Sequence, residues 1–208
     1  MTGFAEILKG KNEKSTPEGI DRRGKLSYNI NMMKKTVGLY LLRATLILLC
    51  VCTVGFIFYN SIQTGEQSAK QSETAVDFVQ EVVGAVAPES PIATATGEER
   101  EKLHVTVRTM AHFTEFMALG LFATWCYISF TSKKKWLFAP LLFTALTAVA
   151  DEFLQKFTFG RASEFIDVLA DVLGGTTGFF FALVSVWMVR AIWRKYKQKR
   201  ENRLPCTR

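Results

Sequence analysis

Four short polar sets carry whatever chemistry this chain performs. They are Ser61 with Gln63, the stripe Arg108, His112 and Glu115, the trio Asp151, Glu152 and Gln155, and Arg161 with Asp167 and Asp171. Carboxylates and an imidazole can exchange protons with a reacting group, and a guanidinium can grip a phosphate or carboxylate through paired N–H donors. His112, Glu115, Asp151, Asp167 and Asp171 are therefore the candidate catalytic groups, and all four sets are candidate ligand contacts. Crowded carboxylates at membrane depth call for a proton or a cation, so a divalent metal is one option, although a single histidine among scattered carboxylates matches no recognised zinc spacing. No cofactor is assigned. A salt-bridged plug that only fixes helix registry is the alternative role for the same residues.

The spacing places each set on one helix face. Arg108, His112 and Glu115 are four and three residues apart, so they form a stripe that could share a partner. Asp151 lies four residues before Gln155, and Asp167, Asp171, Gly174 and Gly178 continue at helical intervals. Gly174-x-x-x-Gly178 permits close approach of a neighbouring helix, which would bring the carboxylates above it near groups on that neighbour. Soluble catalytic signatures, such as a glycine-rich phosphate loop or a Gly-x-Ser-x-Gly elbow, are absent.

The elements that must position these residues are apolar blocks at 37–59, 110–130, 136–150 and 165–192 of the 208-residue chain. A bilayer helix needs about 20 apolar residues. The third block reaches that length only if its helix continues through Asp151 and Gln155 to near Phe157. The fourth would start near Ser163, a suitable N-cap after a Gly160-Arg161 turn. The expected fold is an all-α integral membrane protein with four transmembrane helices.

The formal charge of +7 is distributed as a membrane topology would distribute it, and no nucleic-acid partner is expected. Residues 1–36 hold eight Lys/Arg, the connection at 131–135 holds three lysines, and the segment from Arg190 holds eight more basic residues. From Ser61 through Arg108 there are eight acids against four bases. The positive-inside rule then makes both termini cytoplasmic and turns the polar sets outward.

Residues 1–36 read as a flexible cytoplasmic extension, 37–192 as the membrane domain, and 193–208 as a basic tail whose Trp193 and Tyr196 suit anionic inner-leaflet lipids. Within the outer loop 61–108, Val76, Val79, Val83 and Val86 recur at helical spacing, predicting an amphipathic helix near 72–87 that covers the outer end of the bundle. Membrane lipids are the expected partners; oligomeric state is not readable. More than thirty largely polar residues precede the first apolar block, so that block is read as a retained signal anchor. Arg43, near its cytoplasmic end, is expected to snorkel to water. Cys50, Cys52 and Cys126 lie in apolar blocks and Cys206 in the tail, which implies no disulfide framework.

The order of motifs closely resembles the VanZ-like family. Its carriers are Ser61-x-Gln63-x-Gly65 with Ser68 and Ser72, the run from Ala111-His112 to Glu115-Phe116 followed by Leu119-Gly120, Asp151-Glu152-x-x-Gln155, Gly160-Arg161, and Asp167-x-x-x-Asp171-x-x-Gly174 with Gly178. Asn60 before Ser61 and Glu164 after Ser163 stand where the family more often has small residues. The resemblance implies a bacterial multi-pass cell-membrane protein, in a family whose namesake lowers susceptibility to teicoplanin. Its implied ligand is a cell-envelope component such as a lipid-linked wall precursor or a lipid headgroup. On that analogy, Arg108 and Arg161 would engage anionic groups, His112 and Glu115 would orient the ligand or exchange protons, and the aspartates with Glu152 would accept hydrogen bonds or hold a cation. An enzymatic role, as a membrane hydrolase or transferase, and a non-catalytic accessory role are the alternatives.

Overall fold

The computed structural model describes residues 22–131, 136–160 and 165–201. Among these residues the chain forms five helices and no strand: α1 (Arg22–Ser61), α2 (Gly65–Val86), α3 (Gly97–Phe130), α4 (Ala139–Gln155) and α5 (Phe165–Glu201). Two compact units are distinguished, residues 1–42 and 43–208. The described part of the first is helical from Arg22, so residues 22–36 are not irregular, in keeping with helix formers such as Leu26, Met32 and Lys34. The second unit contains the polar sets. Arg161, Ser163, Glu164, the three lysines at 133–135 and Cys206 lie outside the described residues.

Three helical segments are long and apolar enough to cross a bilayer: Met32–Ser61, Gly97–Phe130 and Ile166–Arg200. The third apolar block forms α4, which has 17 residues. At 1.5 Å per residue that is about 26 Å, a little short of the roughly 30 Å hydrocarbon core. Pro140 sits in its first turn, where the missing N–H costs nothing, and the helix stops at Gln155 rather than reaching Phe157. Apolar side chains such as Leu142, Leu146, Phe153, Leu169 and Leu173 are exposed, as lipid-facing positions require.

Lipid tails are as apolar as leucine, so these helices associate through close packing rather than hydrophobic exclusion of one another. Glycine makes the principal contact. A Cβ at Gly174 would collide with the Phe113 carbonyl, one at Gly178 with the Met117 carbonyl, and one at Gly120 with the Gly175 carbonyl. The backbones of α3 and α5 thus touch along the seam that the glycine spacing predicts. Below Gly175 the next layer is Thr144 of α4. The indole N–H of Trp125 donates to Ser185 Oγ at 2.9 Å across the same pair of helices. Ile57 of α1 joins Phe116, Leu119 and Ala148 in a small apolar core.

α3 has 34 residues, about 51 Å of helix, and therefore overshoots the hydrocarbon thickness. Its charged first turns, with Glu98 and Glu99 favourable at the positive end of the helix dipole, carry α2. Val76 of α2 is fully buried, Arg100 pairs with Asp77 at 2.7 Å, and Gln80 donates to the Ile92 and Ala95 carbonyls. α2 starts earlier than the valine periodicity suggests because Thr64 and Gln67 form a reciprocal capping box, a local signal that apolar spacing does not contain. The covering face is also narrower than expected, since Val86 is exposed.

Arg43 is half-buried and its side chain reaches the last turn of α3. Its guanidinium donates to the Ser129 carbonyl through Nε at 3.0 Å and Nη2 at 2.7 Å and lies 4.7 Å from the centre of the Phe130 ring. Ser129 belongs to the last turn of α3, where carbonyls lack helical donors and the dipole favours a cation.

Candidate functional site

The C-terminal ends of α1 and α4 meet the first membrane turns of α3 and α5, and every described polar set falls at that level. Ser61, Gln63, His112, Asp151, Glu152, Gln155, Asp167 and Asp171 are buried, whereas Arg108 and Glu115 are half-buried. A turn between the ends of α1 and α4 fixes their relation. The Gly65 N–H donates to the Phe159 carbonyl at 3.1 Å, and the Thr158 hydroxyl donates to the Ser61 carbonyl at 3.1 Å. Gly160 has φ of +74°, which glycine adopts without the Cβ penalty, and its carbonyl leaves no space for a side chain at Gly65.

The stripe on α3 does not share one partner. Arg108 Nη2 donates to Asp167 Oδ2 of α5 at 2.7 Å, and His112 faces Asp171 one turn deeper. Glu115 instead turns to α1, where Asn60 Nδ2 donates to its Oε1 at 2.9 Å. Residues 108, 112 and 115 sweep across the helix face by enough to reach two different neighbours, because spacings of four and three are not an exact number of turns. Asp151 is held by the Ser61 hydroxyl at Oδ1 and by Gln155 Nε2 at Oδ2, the latter at 2.7 Å. The Ser61 hydroxyl also lies 2.9 Å from the Ile57 carbonyl, its second acceptor.

His112 Nδ1 and Asp171 Oδ1 are 3.4 Å apart but lack hydrogen-bond alignment, so both atoms remain unbonded although buried. His112, Asp151 and Asp171 can each direct one ligand atom into a space where all three atoms lie within 4.8 Å of one another. Gln63 and Glu152 are buried at the same level without belonging to that group.

Two openings lead toward these residues. A cleft of about 290 Å³ is lined by Gly65, Ser68, His104, Arg108 and Asp167, with Glu101 at its side. A smaller one of about 130 Å³ is lined by Asn60, Ser72, Arg108, His112 and Glu115. Ser68 and Ser72, separated by one turn of α2, line both. The cleft thus presents a cation, two carboxylates and hydroxyl groups to one small volume.

Residues 46–188, well over half of the chain, match the VanZ/LLP1 family. The chain belongs to that family. Neither a curated protein nor a solved structure matches it. All the described motif positions that resemble VanZ-like proteins fall within the matched span, and the structure brings Ser61, Arg108, His112, Asp151, Gln155, Asp167 and Asp171 to one end of it. Asn60, Thr158 and the Thr64–Gln67 box belong to the same assembly, but an asparagine or threonine at a helix end has no distinguishing sequence signal. The cysteines stand apart: among the described residues Cys50, Cys52 and Cys126 are free thiols, and Cys50 and Cys126 of α3 line one apolar surface hollow.

Proposed function

We propose that this VanZ/LLP1-family protein is a four-span cell-membrane protein with both termini cytoplasmic, and that its polar end faces outward and binds the headgroup of an envelope lipid or lipid-linked wall precursor. The observation that carries the reading is the cleft above the buried polar layer, lined by Ser68, His104, Arg108 and Asp167. Arg108 is oriented by Asp167, leaving the rest of its guanidinium for a phosphate oxygen. Ser68, Ser72 and Glu101 supply hydrogen-bond partners for hydroxyl or amine groups on the same ligand. Arg161, beyond the described residues, is the second cation the sequence offers. Shielding or sequestering a wall precursor in this way would lower susceptibility to teicoplanin.

The test is the teicoplanin susceptibility of a sensitive Gram-positive host expressing the wild-type chain, Arg108→Ala or Glu115→Gln, with matched membrane levels. Protection by the wild type and its loss in Arg108→Ala is the expected result. Absence of protection by the wild type would remove the antibiotic reading. Loss of protection only in step with loss of folded protein would favour an accessory role.

A hydrolase or transferase of a lipid-linked substrate is the second reading. It is favoured by the imidazole of His112 beside the Asp171 carboxylate, with Glu115 on the next turn as a candidate base. Product formed from a polyprenyl-linked substrate by the purified wild type, and not by Glu115→Gln, is its expected signature.

A further inference from the structure

We propose that His112, Asp151 and Asp171 hold one divalent transition-metal ion of the zinc class. Their donor atoms converge within 4.8 Å although they come from α3, α4 and α5, and all three residues are buried. Convergence alone would describe an acidic cluster. A second observation concerns the unbonded atoms: both carboxylate oxygens of Asp171, a residue with 0% exposure, have no hydrogen-bond partner among the described residues. Nor has Nδ1 of His112. Buried polar atoms are nearly always satisfied, and a carboxylate at this depth whose one polar neighbour is an imidazole nitrogen 3.4 Å away, with no hydrogen bond to either oxygen, departs from that rule.

One donor pair already has the spacing a bound cation sets, and the group, spread over up to 4.8 Å, would draw together around it. Two ligands bound at about 2.1 Å in a tetrahedral site lie about 3.4 Å from each other, and the separation of His112 Nδ1 from Asp171 Oδ1 is 3.4 Å. A direct hydrogen bond would be shorter and aligned. Arg108 pairs with Asp167 and Glu115 accepts from Asn60, so neither belongs to the ligand group. A nitrogen ligand and few oxygens favour zinc-class ions over calcium, which takes six to eight oxygens.

The outer shell is also in place. Ser61 and Gln155 donate to the two oxygens of Asp151 and orient that carboxylate while leaving lone pairs for a metal. With three protein ligands, a fourth position remains for water or a ligand oxygen, as in catalytic rather than closed structural sites. His112 also lines the smaller opening beside Arg108, which gives that position access to the cleft. The metal site rests on these contacts and does not depend on the headgroup reading.

The experiment is a Co²⁺ titration of the full chain, purified into nanodiscs and stripped with chelator, read by visible absorption and by metal content after desalting. One Co²⁺ per chain, with the intense absorption of a low-coordinate site, is the expected result. His112→Gln and Asp171→Asn should abolish it, His104→Gln should retain it, and Ser61→Ala should weaken binding about 10-fold to 100-fold as an outer-shell change. No retained metal in the wild type, or full retention in folded Asp171→Asn, overturns the proposal. If the ligand variants do not fold, pulsed EPR of the Cu²⁺-loaded wild type and His104→Gln decides. Imidazole nitrogen coupling in both supports the site, and its absence from either overturns it. No lipid or antibiotic enters these measurements, so their outcome is separable from that of the headgroup reading.

Discussion

At the scale of single residues, the buried layer is specific because each ionisable group has a different neighbour. Asn60 is the clearest case. It stands at the end of α1 and supplies the amide donor to Glu115. Asn60→Leu would leave that carboxylate without its donor and should cost about 1–3 kcal/mol, the usual penalty for stranding a buried acceptor. Unfolding in mixed micelles measures this directly, and a midpoint equal to the wild type would mean that Glu115 finds water or another donor. Arg108 and Asp167 should behave as a coupled pair. In a double-mutant cycle of Arg108→Ala with Asp167→Ala, a coupling energy of at least about 0.5 kcal/mol is expected, as for residues sharing one network. Additive losses would show that the pair contributes nothing as a pair.

At the scale of elements, the contact of α3 with α5 governs the site. Gly174 meets the carbonyl of Phe113, the residue after His112, and Asp171 is one turn before Gly174. The glycine contact therefore sets how near the imidazole comes to the carboxylate. Gly178→Ala places a methyl group against the Met117 carbonyl and should destabilise the folded state by about 1–3 kcal/mol, the cost of overpacking where backbone must move. Because the helices are pushed apart two turns below the cluster, Co²⁺ affinity should fall in the same variant although no ligand is altered. Retained stability and affinity together would show that the seam relaxes freely. α2 is attached by fewer contacts, with Val76 at the centre of its buried face. Val76→Asp should detach it, raising protease cleavage between residues 65 and 95 while the membrane helices remain protected. An unchanged digestion pattern would mean that the pairing of Arg100 with Asp77 and Gln80 suffices to hold α2.

At the scale of the whole molecule, orientation in the membrane decides what the cleft can meet. The basic segments at 1–36 and from Arg190, set against the acidic connection between α1 and α3, favour an outward cleft. In a chain lacking Cys50, Cys52 and Cys126, a cysteine introduced at Glu89 should react with a membrane-impermeant maleimide in intact cells, while Cys206 should react only after permeabilisation. The reverse pattern would turn the cleft toward the cytoplasm and exclude teicoplanin or an exported wall precursor as its context. The 17 residues of α4 are the element for which span and re-entry differ least in length. A cysteine at Phe138, exposed before the first turn of α4, tests this: labelling with the cytoplasmic set is expected for a spanning helix.

The sequence by itself determined where the apolar helices lie, because hydropathy and periodicity are local properties carried by consecutive residues, but not that α1 begins at Arg22 or α2 at Gly65. It also marked the polar residues that the fold gathers at one level, since charges in apolar blocks are conspicuous, and it identified the glycine seam from the spacing of Gly174 and Gly178. What it could not hold was partnership. Helical spacing says that Arg108, His112 and Glu115 share a face, but not that two turn to α5 and one to α1. That division follows from the approach of α3 and α5, which depends on backbone contacts at Gly120, Gly174, Gly175 and Gly178 together. For the same reason the convergence of His112, Asp151 and Asp171 is invisible as a motif: three ligands on three helices have no characteristic spacing along a chain, and only the packed bundle brings them within reach of one ion.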